Sequence, residues 1–191
     1  LPLIKYIAEK QKPMIISTGM ASLGEIEDAI DIIKAADNPN YAILKCSSAY
    51  PAIPKDMNLH AIPVLKDLFN IPVGLSDHTL GTTSAIAAVA LGANIVEKHF
   101  CISRDIENPD SSFSMEPAEF KAMVHAIRET ETAMGQVSFT QSKLEKTSRV
   151  FRRSIFVVED VKRGQVFTKD NIRIIRPGDG LAPKHLNKVL G

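Results

Sequence analysis

The sequence has little cysteine, no long apolar run and no block of like charge. Cys46 and Cys101 are the only cysteines among 191 residues. They are too few for the disulfide framework of a secreted protein, and neither lies in a CxxC pattern. No apolar stretch reaches the ~18 residues that a membrane-spanning helix needs. The formal net charge is +1 with both signs interspersed, which argues against a nucleic-acid or membrane-surface partner.

The composition is typical of a soluble globular protein, which we expect in a reducing cytoplasm with both cysteines as inert packing residues. Hydrophobic residues make up 45% and charged residues 24%, enough for one domain with a core plus a smaller one. The chain begins LPLIK, with neither an initiator methionine nor a signal-peptide pattern. We interpret this start as a cut inside a longer chain.

Short apolar runs alternate with amphipathic stretches in the first 135 residues. Predicted strand starts recur every ~20–30 residues, the length of a βα unit. Ser22 followed by Glu25 is a capping-box pattern that opens one helix, and Pro117 at a first helical position opens another, which ends before Gly135. The sequence predicts strands at residues 13–19, 41–50, 71–79 and 94–100, and helices at 1–10, 22–37, 57–69, 81–91 and 117–134. The predicted buried stripe of the last helix consists of Phe120, Val124, Ile127 and Met134.

This order predicts an α/β fold with a parallel sheet. The strands are nearly continuous apolar runs, as expected when both faces of a sheet are covered. The predicted strands are too few to close a barrel, which needs eight strands and roughly 250 residues. Two architectures remain, a small doubly wound sheet and the C-terminal half of a (β/α)8 TIM barrel. The lack of a natural start favours the half barrel, placed at residues 1–137.

The last part of the chain has a different pattern. Residues 138–152 are polar and are interpreted as a linker. Beyond them, residues 153–191 form a turn-rich module with β-branched runs at 154–158 and 172–175. The module stops without an obvious closing strand, so we expect a small, β-rich and incomplete domain.

Ionisable and hydroxyl side chains stand where two of the predicted strands end. Side chains alternate along a strand, so Ser76 and His78 share one face of the third strand, and Glu97 and His99 share one face of the fourth. In parallel α/β sheets the chemistry lies at the carboxyl ends of the strands. We therefore expect two imidazoles and a carboxylate to converge on one site.

Six motifs, in this order and spacing, resemble those of the sialic acid synthases, which condense phosphoenolpyruvate with an amino-sugar aldehyde to make nonulosonic acids. They are residues 16–20 (ISTGM), 46–51 (CSSAYP), 74–80 (GLSDHTL), 97–100 (EKHF), 109–110 (PD) and 176–180 (RPGDG). Residues 153–191 resemble the antifreeze-like (SAF) domain of this family. Within the family, the stretch 109–116 (PDSSFSME) is most similar to pseudaminic acid synthases.

The resemblance implies a metal-dependent transferase that forms a C–C bond. His78 and His99 would bind a divalent metal, expected to be manganese, with Mg²⁺ or Co²⁺ as alternatives. That metal would polarise the sugar aldehyde that C3 of phosphoenolpyruvate attacks. Glu97, His78 and His99 are then the catalytic candidates. The substrate-binding candidates are Ser17, Ser48, Tyr50, Ser76, Asp110 and Arg176.

The resemblance also divides these residues between the two substrates. Ser17 and Ser76 would hold phosphoenolpyruvate, although the family's first four strands, which supply further contacts to it, have no counterpart here. Ser48 stands where some neuraminate synthases have asparagine.

The remaining candidates belong to the sugar. Tyr50, Glu97 and Asp110 would lie near it, and Arg176 would reach it from the antifreeze-like domain of a partner subunit. The resemblance thus implies a homodimer in which each SAF domain completes the partner's active site.

Each of these residues also has a simpler structural explanation. Glu97 is equally suited to orient the neighbouring imidazole. Asp110 after a proline is a common turn former. Ser17 and Thr18 are plausible caps of the following helix, and Arg176 before Pro-Gly is a plausible solvated turn charge.

Other functions remain open beside the leading one. A few pocket contacts set the choice of sugar, so the product is alternatively neuraminic acid, legionaminic acid or a spore-coat sugar acid. Metal-dependent hydrolysis on a barrel is disfavoured because no His-x-His pair marks a strand. A binding fragment would hold both metal ligands but only part of the phosphoenolpyruvate site, so that it would bind metal without turnover. Lys45 and Lys98 receive no role from the sequence.

Overall fold

The computed structural model describes residues 1–191, which divide into two units, Leu1–Gly135 and Gln136–Gly191. The first unit contains four strands: β1 (Met14–Ser17), β2 (Tyr41–Cys46), β3 (Val73–Asp77) and β4 (Val96–Lys98). Its helices are α1 (Pro2–Ala8), α2 (Leu23–Ala35), α3 (Ala61–Phe69), α4 (Thr83–Ala90) and α5 (Pro117–Met134), with short 3-10 turns at Pro54–Asp56 and Ser111–Phe113.

The four strands form one curled parallel sheet in the order β1-β2-β3-β4. A doubly wound sheet reverses its strand order at a switch point, and this sheet has no such reversal. Strands that follow one another in chain order, each connected by a helix, are the repeating unit of a TIM barrel. The predicted C-terminal half of a (β/α)8 barrel is therefore confirmed, and the doubly wound alternative is wrong.

The main core lies between the sheet and its helices. Ile43, Val73 and Leu75 point from the strands to the helical side and are at most 2% exposed. They pack against apolar residues of α2, α3 and α4, namely Ile30, Ile62, Leu65 and Ala88. Each such side chain gains about 1.5–3 kcal/mol from leaving water. This layer holds the strands in place and thereby positions the residues at their carboxyl ends.

The opposite face of the sheet is the inner face of the half barrel. Here Ile15 is 59% exposed, whereas Leu44 is fully buried against Gly74. A Cβ atom at Gly74 would lie 2.4 Å from the main-chain oxygen of Ile95 and 2.6 Å from Leu44 Cδ2. The glycine is therefore needed for the close approach of β2, β3 and β4 below the candidate site.

The predicted starts of α2 and α5 are confirmed by their caps. The Ser22 side chain accepts a hydrogen bond from the backbone N–H of Glu25, whose carboxylate accepts one from the backbone of Ser22, which completes the capping box of α2. Helix α5 begins with Pro117 and ends at Gly135, which has φ 50°. A positive φ favours glycine because it lacks a Cβ.

Two predictions about the helices are wrong in part. The buried stripe of α5 consists of Met123 and Ile127 with Phe120 partly buried, whereas Val124 is 39% and Met134 51% exposed. Residues 120, 123 and 127 lie on the side of α5 that packs against α4, and 124 is turned away from it. Helix α3 starts at Ala61, later than predicted, because Pro63 has no N–H and fits only the first turn of a helix.

The second unit contains a two-stranded antiparallel sheet of β5 (Ser154–Val157) and β6 (Ile172–Ile175), paired from Ser154↔Ile175 to Val157↔Ile172. It also has short helices α6 (Lys143–Ser148) and α7 (Leu186–Val189). Helix α6 lies within residues 138–152, which were predicted as a linker, and a Ser142–Glu145 capping box opens it. The predicted domain boundaries stay predictions. None of the helices in either unit has the length and apolar character needed to cross a membrane.

Candidate active site

Ser76 and Glu97 meet across two neighbouring strands. They form a registered pair of β3 and β4, and Ser76 Oγ donates a 2.8 Å hydrogen bond to Glu97 Oε1. Ser76 is buried, whereas Glu97 is exposed on the inner face of the half barrel. Paired residues of a parallel sheet project to the same face, so this contact follows from the register. Both side chains lie on the inner face, as the alternation along each strand predicts.

His78 and His99 lie beside each other just beyond the strand ends. Their ring centroids are 5.2 Å apart. His78 is 7% exposed, and its Nδ1 lies 2.8 Å from the main-chain oxygen of Ser47. Because a carbonyl oxygen only accepts hydrogen bonds, Nδ1 carries the proton and the lone pair lies on Nε2. The loop after β2 thus selects the tautomer of His78.

A carboxylate lies next to the second imidazole. His99 Nδ1 is 3.5 Å from Asp110 Oδ2. The backbone N–H of Asp110 is bound by the Asn108 side chain at 2.9 Å, so Asn108 forms the local turn and the Asp110 carboxylate faces the imidazole. Asp110 also precedes the 3-10 turn Ser111–Phe113, as a turn former would, and its contribution to an active site stays a prediction. Glu97 Oε1 accepts the hydrogen bond from Ser76, and the role of Glu97, in orienting His99 or in contacting the sugar, stays a prediction.

Two aromatic rings enclose the imidazoles. The Tyr50 ring lies 4.3 Å from that of His78 and 5.8 Å from that of His99, measured between centroids. The Phe113 ring lies 5.0 Å from that of His99 and 5.9 Å from that of Tyr50. Phe113 is 8% exposed, whereas Tyr50 is largely open to solvent. Together these rings form an aromatic wall beside the imidazole pair.

Arg104 anchors the loop that carries Asp110 and Phe113. Its Nη1 donates to the main-chain oxygen of Ser114 at 3.0 Å, and its two terminal nitrogens bind Glu119 at 2.6 and 2.8 Å. This bidentate contact lowers the pKa of Glu119 from its ordinary 4.5 to about 2. The Glu119 carboxylate in turn raises the pKa of the Arg104 guanidinium. Loop 101–116 is thus tied to the first turn of α5.

Ser17 and Ser48, the two predicted site serines nearest β1, make no hydrogen bond to the other predicted site residues. Ser17 is exposed at the end of β1, on the inner face, and pairs in register with Leu44. Ser48 lies against Gly19, where an added Cβ atom would be 2.0 Å from Ser48 Oγ. Thr18 binds the main-chain oxygen of Leu44 at 2.9 Å. The alternative that Ser17 or Thr18 caps α2 is wrong, because Ser22 caps that helix.

Arg176 lies in the second unit, directly after β6, where it is exposed. The loop that follows it is fixed by two hydrogen bonds, from Gly178 N to Val150 O at 3.0 Å and from Gly180 N to Ser154 Oγ at 3.1 Å. The contribution of Arg176 to an active site stays a prediction.

Sequence reasoning missed three features of this region: Phe113, the Arg104 anchor, and an ion pair between Asp77 and Lys98. The ion pair joins the same two strands that carry the imidazoles, and its N–O distance is 2.8 Å. Strand alternation turns each residue away from the inner-face residues of its own strand, but the register of β3 and β4 brings Asp77 and Lys98 together, so the sequence held no direct signal for this contact. Phe113 lies within the motif at residues 109–116 without any periodic pattern that marks it.

The side chains fit a divalent metal ion held by imidazole nitrogen. Metal-binding histidines usually donate their second ring N–H to a carbonyl or a carboxylate, and His78 does so to Ser47, while His99 has Asp110 beside its Nδ1. No group of three or more His, Cys, Asp and Glu side chains is arranged to hold a metal. An ion held by two imidazoles would keep open positions for water or substrate.

Comparison with known proteins gives two matches along the chain. Residues 1–139 match the NeuB family, and residues 152–191 match the SAF domain. Pseudaminic acid synthase of Campylobacter jejuni subsp. jejuni is 44% identical over 188 residues, which are 98% of this chain and 55% of that protein. N,N'-diacetyllegionaminic acid synthase of another strain of this subspecies is 40% identical over 194 residues, 100% of this chain and 58% of that protein.

A solved structure has the same architecture. The spore coat polysaccharide biosynthesis protein SpsE of Bacillus subtilis superposes with a TM-score of 0.68 at 36% identity, over 99% of this chain and 58% of that one. The chain therefore spans about half the length of the proteins it matches.

Proposed function

The chain belongs to the NeuB family, and on that basis we propose that it is part of a nonulosonic acid synthase that makes pseudaminic acid. The proposed reaction joins phosphoenolpyruvate to 2,4-diacetamido-2,4,6-trideoxy-altrose. A bond forms between C3 of phosphoenolpyruvate and the aldehyde carbon, whose oxygen takes up a proton and becomes a hydroxyl. Water adds at C2 and gives up its protons, and the bond from C2 to the phosphate oxygen breaks, which leaves a ketone at C2 and releases phosphate. The complete activity is proposed for the full reading frame that encodes this chain.

The observation that carries this proposal is the pair of imidazoles at neighbouring strand ends. His78 and His99 are 5.2 Å apart by ring centroids, and each has an oxygen next to Nδ1. Both Nε2 atoms are thereby left to bind an ion. A divalent metal, with manganese expected, would be held by these two atoms, and when bound it would supply electrophilic polarisation of the aldehyde oxygen.

Ser76 and Glu97 suit the phosphoenolpyruvate side of the reaction. Ser76 Oγ donates to Glu97 Oε1, and the same hydroxyl is able to donate to an oxygen of phosphoenolpyruvate instead. Glu97 would then accept a proton from the water that adds at C2, as a general base. Ser17, on the same face of the sheet, would provide a second hydroxyl for phosphoenolpyruvate. We also assign Ser48 to substrate binding, because it lies just beyond the carboxyl end of β2.

The sugar is assigned to the side of the aromatic wall. Tyr50 and Asp110 would contact it, and Phe113 would hold the Tyr50 and His99 rings in place. A wall of this kind suits the methyl group at C6 of a 6-deoxy sugar better than a hydroxymethyl group, because an apolar surface leaves a hydroxyl unpaired. The epimer that leads to legionaminic acid carries the same methyl group, so the wall disfavours only sugars with a C6 hydroxymethyl group, and the choice over legionaminic acid rests on the higher identity to the pseudaminic acid synthase.

Arg176 is assigned to the active site of a partner subunit. A guanidinium binds carboxylate and acetamido oxygens well, and the glycine-rich loop after it is fixed at two points. The functional unit would then be a homodimer in which each SAF domain completes the other subunit's site.

The test is phosphate release from phosphoenolpyruvate by the protein from the full reading frame, with manganese. The sugars are the 2,4-diacetamido-2,4,6-trideoxy-altrose, its legionaminate-type epimer and N-acetylmannosamine. Co²⁺ and Mg²⁺ replace manganese in parallel assays. The matched pair of variants is His78→Ala and His125→Ala, because His125 is an exposed histidine of α5. We expect release with the altrose sugar, abolished by His78→Ala and retained by His125→Ala.

The other outcomes separate the alternatives. Release with the epimer or with N-acetylmannosamine alone would keep the family and change the product. No release with any sugar from a folded, metal-loaded protein would contradict the synthase function and favour a metal-binding module. Residues 1–191 alone are expected to bind metal without turnover.

A further inference from the structure

Asp77 and Lys98 form a fully buried ion pair on the helical side of the sheet, behind the imidazole pair. Lys98 Nζ lies 2.8 Å from Asp77 Oδ2, and the two side chains are 1% and 0% exposed. The reaction proposed above uses neither residue. Side chains alternate along a strand. Asp77, between Ser76 and His78 in the chain, therefore projects to the opposite face of the sheet.

The pair also captures Thr79. Asp77 Oδ1 accepts hydrogen bonds from Thr79 N at 2.9 Å and from Thr79 Oγ1 at 2.7 Å. Lys98 Nζ donates to the main-chain oxygen of Thr79. Asp77 and Thr79, which flank His78, are therefore both bound to the side chain of Lys98, which directly precedes His99.

This arrangement lies where the backbone ladder ends. Asp77 and Lys98 are the last registered pair of β3 and β4, so His78 and His99 follow directly and have no ladder partners in each other's strand. Beyond this point, the Lys98 side chain continues the connection between the two chain segments. His78 O and His99 O are also bound, by Ala52 N and Met115 N at 2.9 Å, whereas the Lys98 side chain is the contact that links the two segments to each other.

Stability alone is a weak explanation for such a pair. Desolvation of two charges costs several kcal/mol, and replacing a buried ion pair by apolar residues is often neutral or stabilising. The pair instead provides four directional contacts, as a positioning device requires: one between Lys98 and Asp77, two from Thr79 to Asp77, and one from Lys98 to the main-chain oxygen of Thr79.

We propose that the Asp77–Lys98 ion pair is a positioning device that sets the spacing of His78 and His99 and thereby the affinity for the divalent ion. This inference rests on the proposed metal role of the two histidines. Residues that orient metal ligands without touching the metal typically change its affinity by about 10–100-fold. We expect an effect at the lower end, about 10-fold, because the pair acts through the backbone.

The central variant is Asp77→Asn with Lys98→Met, made in the protein from the full reading frame. Asparagine keeps the oxygen that binds Thr79, methionine keeps the length of lysine, and no unpaired charge remains. The matched control is Lys45→Met, which removes a lysine of β2 whose Nζ binds only the main-chain oxygen of Cys46, at 2.8 Å. Mn²⁺ is titrated without substrates and free Mn²⁺ is followed by electron paramagnetic resonance, while urea unfolding measures stability.

We expect the double variant to unfold at a urea concentration close to that of the wild type and to bind Mn²⁺ about 10-fold more weakly. Lys45→Met should change neither quantity. Equal Mn²⁺ affinity of the double variant and the wild type would overturn the positioning role. Wild-type protein whose Mn²⁺ binding is absent, or is not removed by His78→Ala, would overturn the metal assignment and this inference with it.

A second variant, Asp77→Glu, tests the proposal if the double variant does not fold. Asp77→Glu keeps both charges but lengthens one side chain by a methylene, which shifts the connection. A positioning role predicts weaker Mn²⁺ binding by this folded variant, whereas a purely stabilising ion pair predicts unchanged binding.

Discussion

Ser76 Oγ and Glu97 Oε1 are joined by a hydrogen bond of 2.8 Å across the registered pair of β3 and β4. The hydroxyl that we propose for phosphoenolpyruvate and the carboxylate that we propose as a base are thereby held in one place. Binding of an anionic substrate oxygen to Ser76 would release Glu97, and the contact would then couple substrate binding to the availability of the proposed base.

The first prediction concerns Glu97. Glu97→Gln keeps an oxygen for Ser76 but does not accept a proton, so we expect kcat to fall by about 10²–10⁴-fold with little change in KM for phosphoenolpyruvate. Ser76→Ala should instead raise that KM. Steady-state kinetics measures both, and Glu27→Gln on the exposed side of α2 is the control. An unchanged kcat for Glu97→Gln would assign Glu97 to sugar binding only.

The second prediction concerns Phe113 and the choice of sugar. Phe113→Leu keeps an apolar side chain but removes the ring that packs against His99 and Tyr50. We expect the ratio of kcat/KM between the altrose sugar and N-acetylmannosamine to fall by about 10-fold or more. Competition assays with both sugars measure this ratio. A uniform loss with both sugars would show that Phe113 acts on stability or metal geometry and not on selectivity.

The third prediction tests the close packing under the site. Gly74→Ala brings a Cβ to 2.4 Å from the main-chain oxygen of Ile95, which backbone movement alone relieves. We expect a loss of at least about 1–3 kcal/mol in the free energy of unfolding, measured by urea denaturation. Gly24→Ala is the matched control, since no atom lies within 4 Å of an added Cβ there. Because Gly24 is helical, that change should be neutral or slightly stabilising.

The fourth prediction concerns pH and the Arg104–Glu119 contact. The pKa of Glu119 is about 2 in the folded chain, below its ordinary 4.5. A depressed pKa means that the contact stabilises fully above pH 4.5 and is lost as the pH falls toward 2. The stability difference between wild type and Glu119→Gln should therefore be largest at neutral pH and shrink in acid. A difference that is independent of pH would contradict this origin.

The fifth prediction tests Arg176 in a partner's site. His78→Ala and Arg176→Ala should each be inactive alone. Mixed dimers formed from equal amounts would contain one site with both residues intact, so refolded mixtures should recover about a quarter of wild-type activity. No recovery from mixtures that do form mixed dimers would place Arg176 outside the partner's site. Mixing His78→Ala with Glu97→Gln is the control, because both changes lie in the same half barrel and no intact site results.

Several parts of the site were accessible from the sequence because they depend on short-range regularities. Alternation along β3 and β4 placed Ser76 with His78 and Glu97 with His99, and the structure brings these side chains together. The stripe of α5 was predicted wrongly because several apolar residues of one helix compete for burial. Met123 and Ile127 are the residues that pack against α4. The sequence of α5 alone does not tell on which side of it α4 lies.

The sequence by itself determined the βα order, the capped helix starts, the strand ends that bear the histidines, and the motifs that the family shares. These follow from spacings of a few residues, which periodicity and capping rules describe. Only the tertiary structure decided that Ser47 selects the tautomer of His78, that Asp110 faces His99, and that Lys98 joins Asp77 behind them. The partners in these contacts are 31, 11 and 21 residues apart in the chain, so sheet register and loop packing create them and no local pattern encodes them.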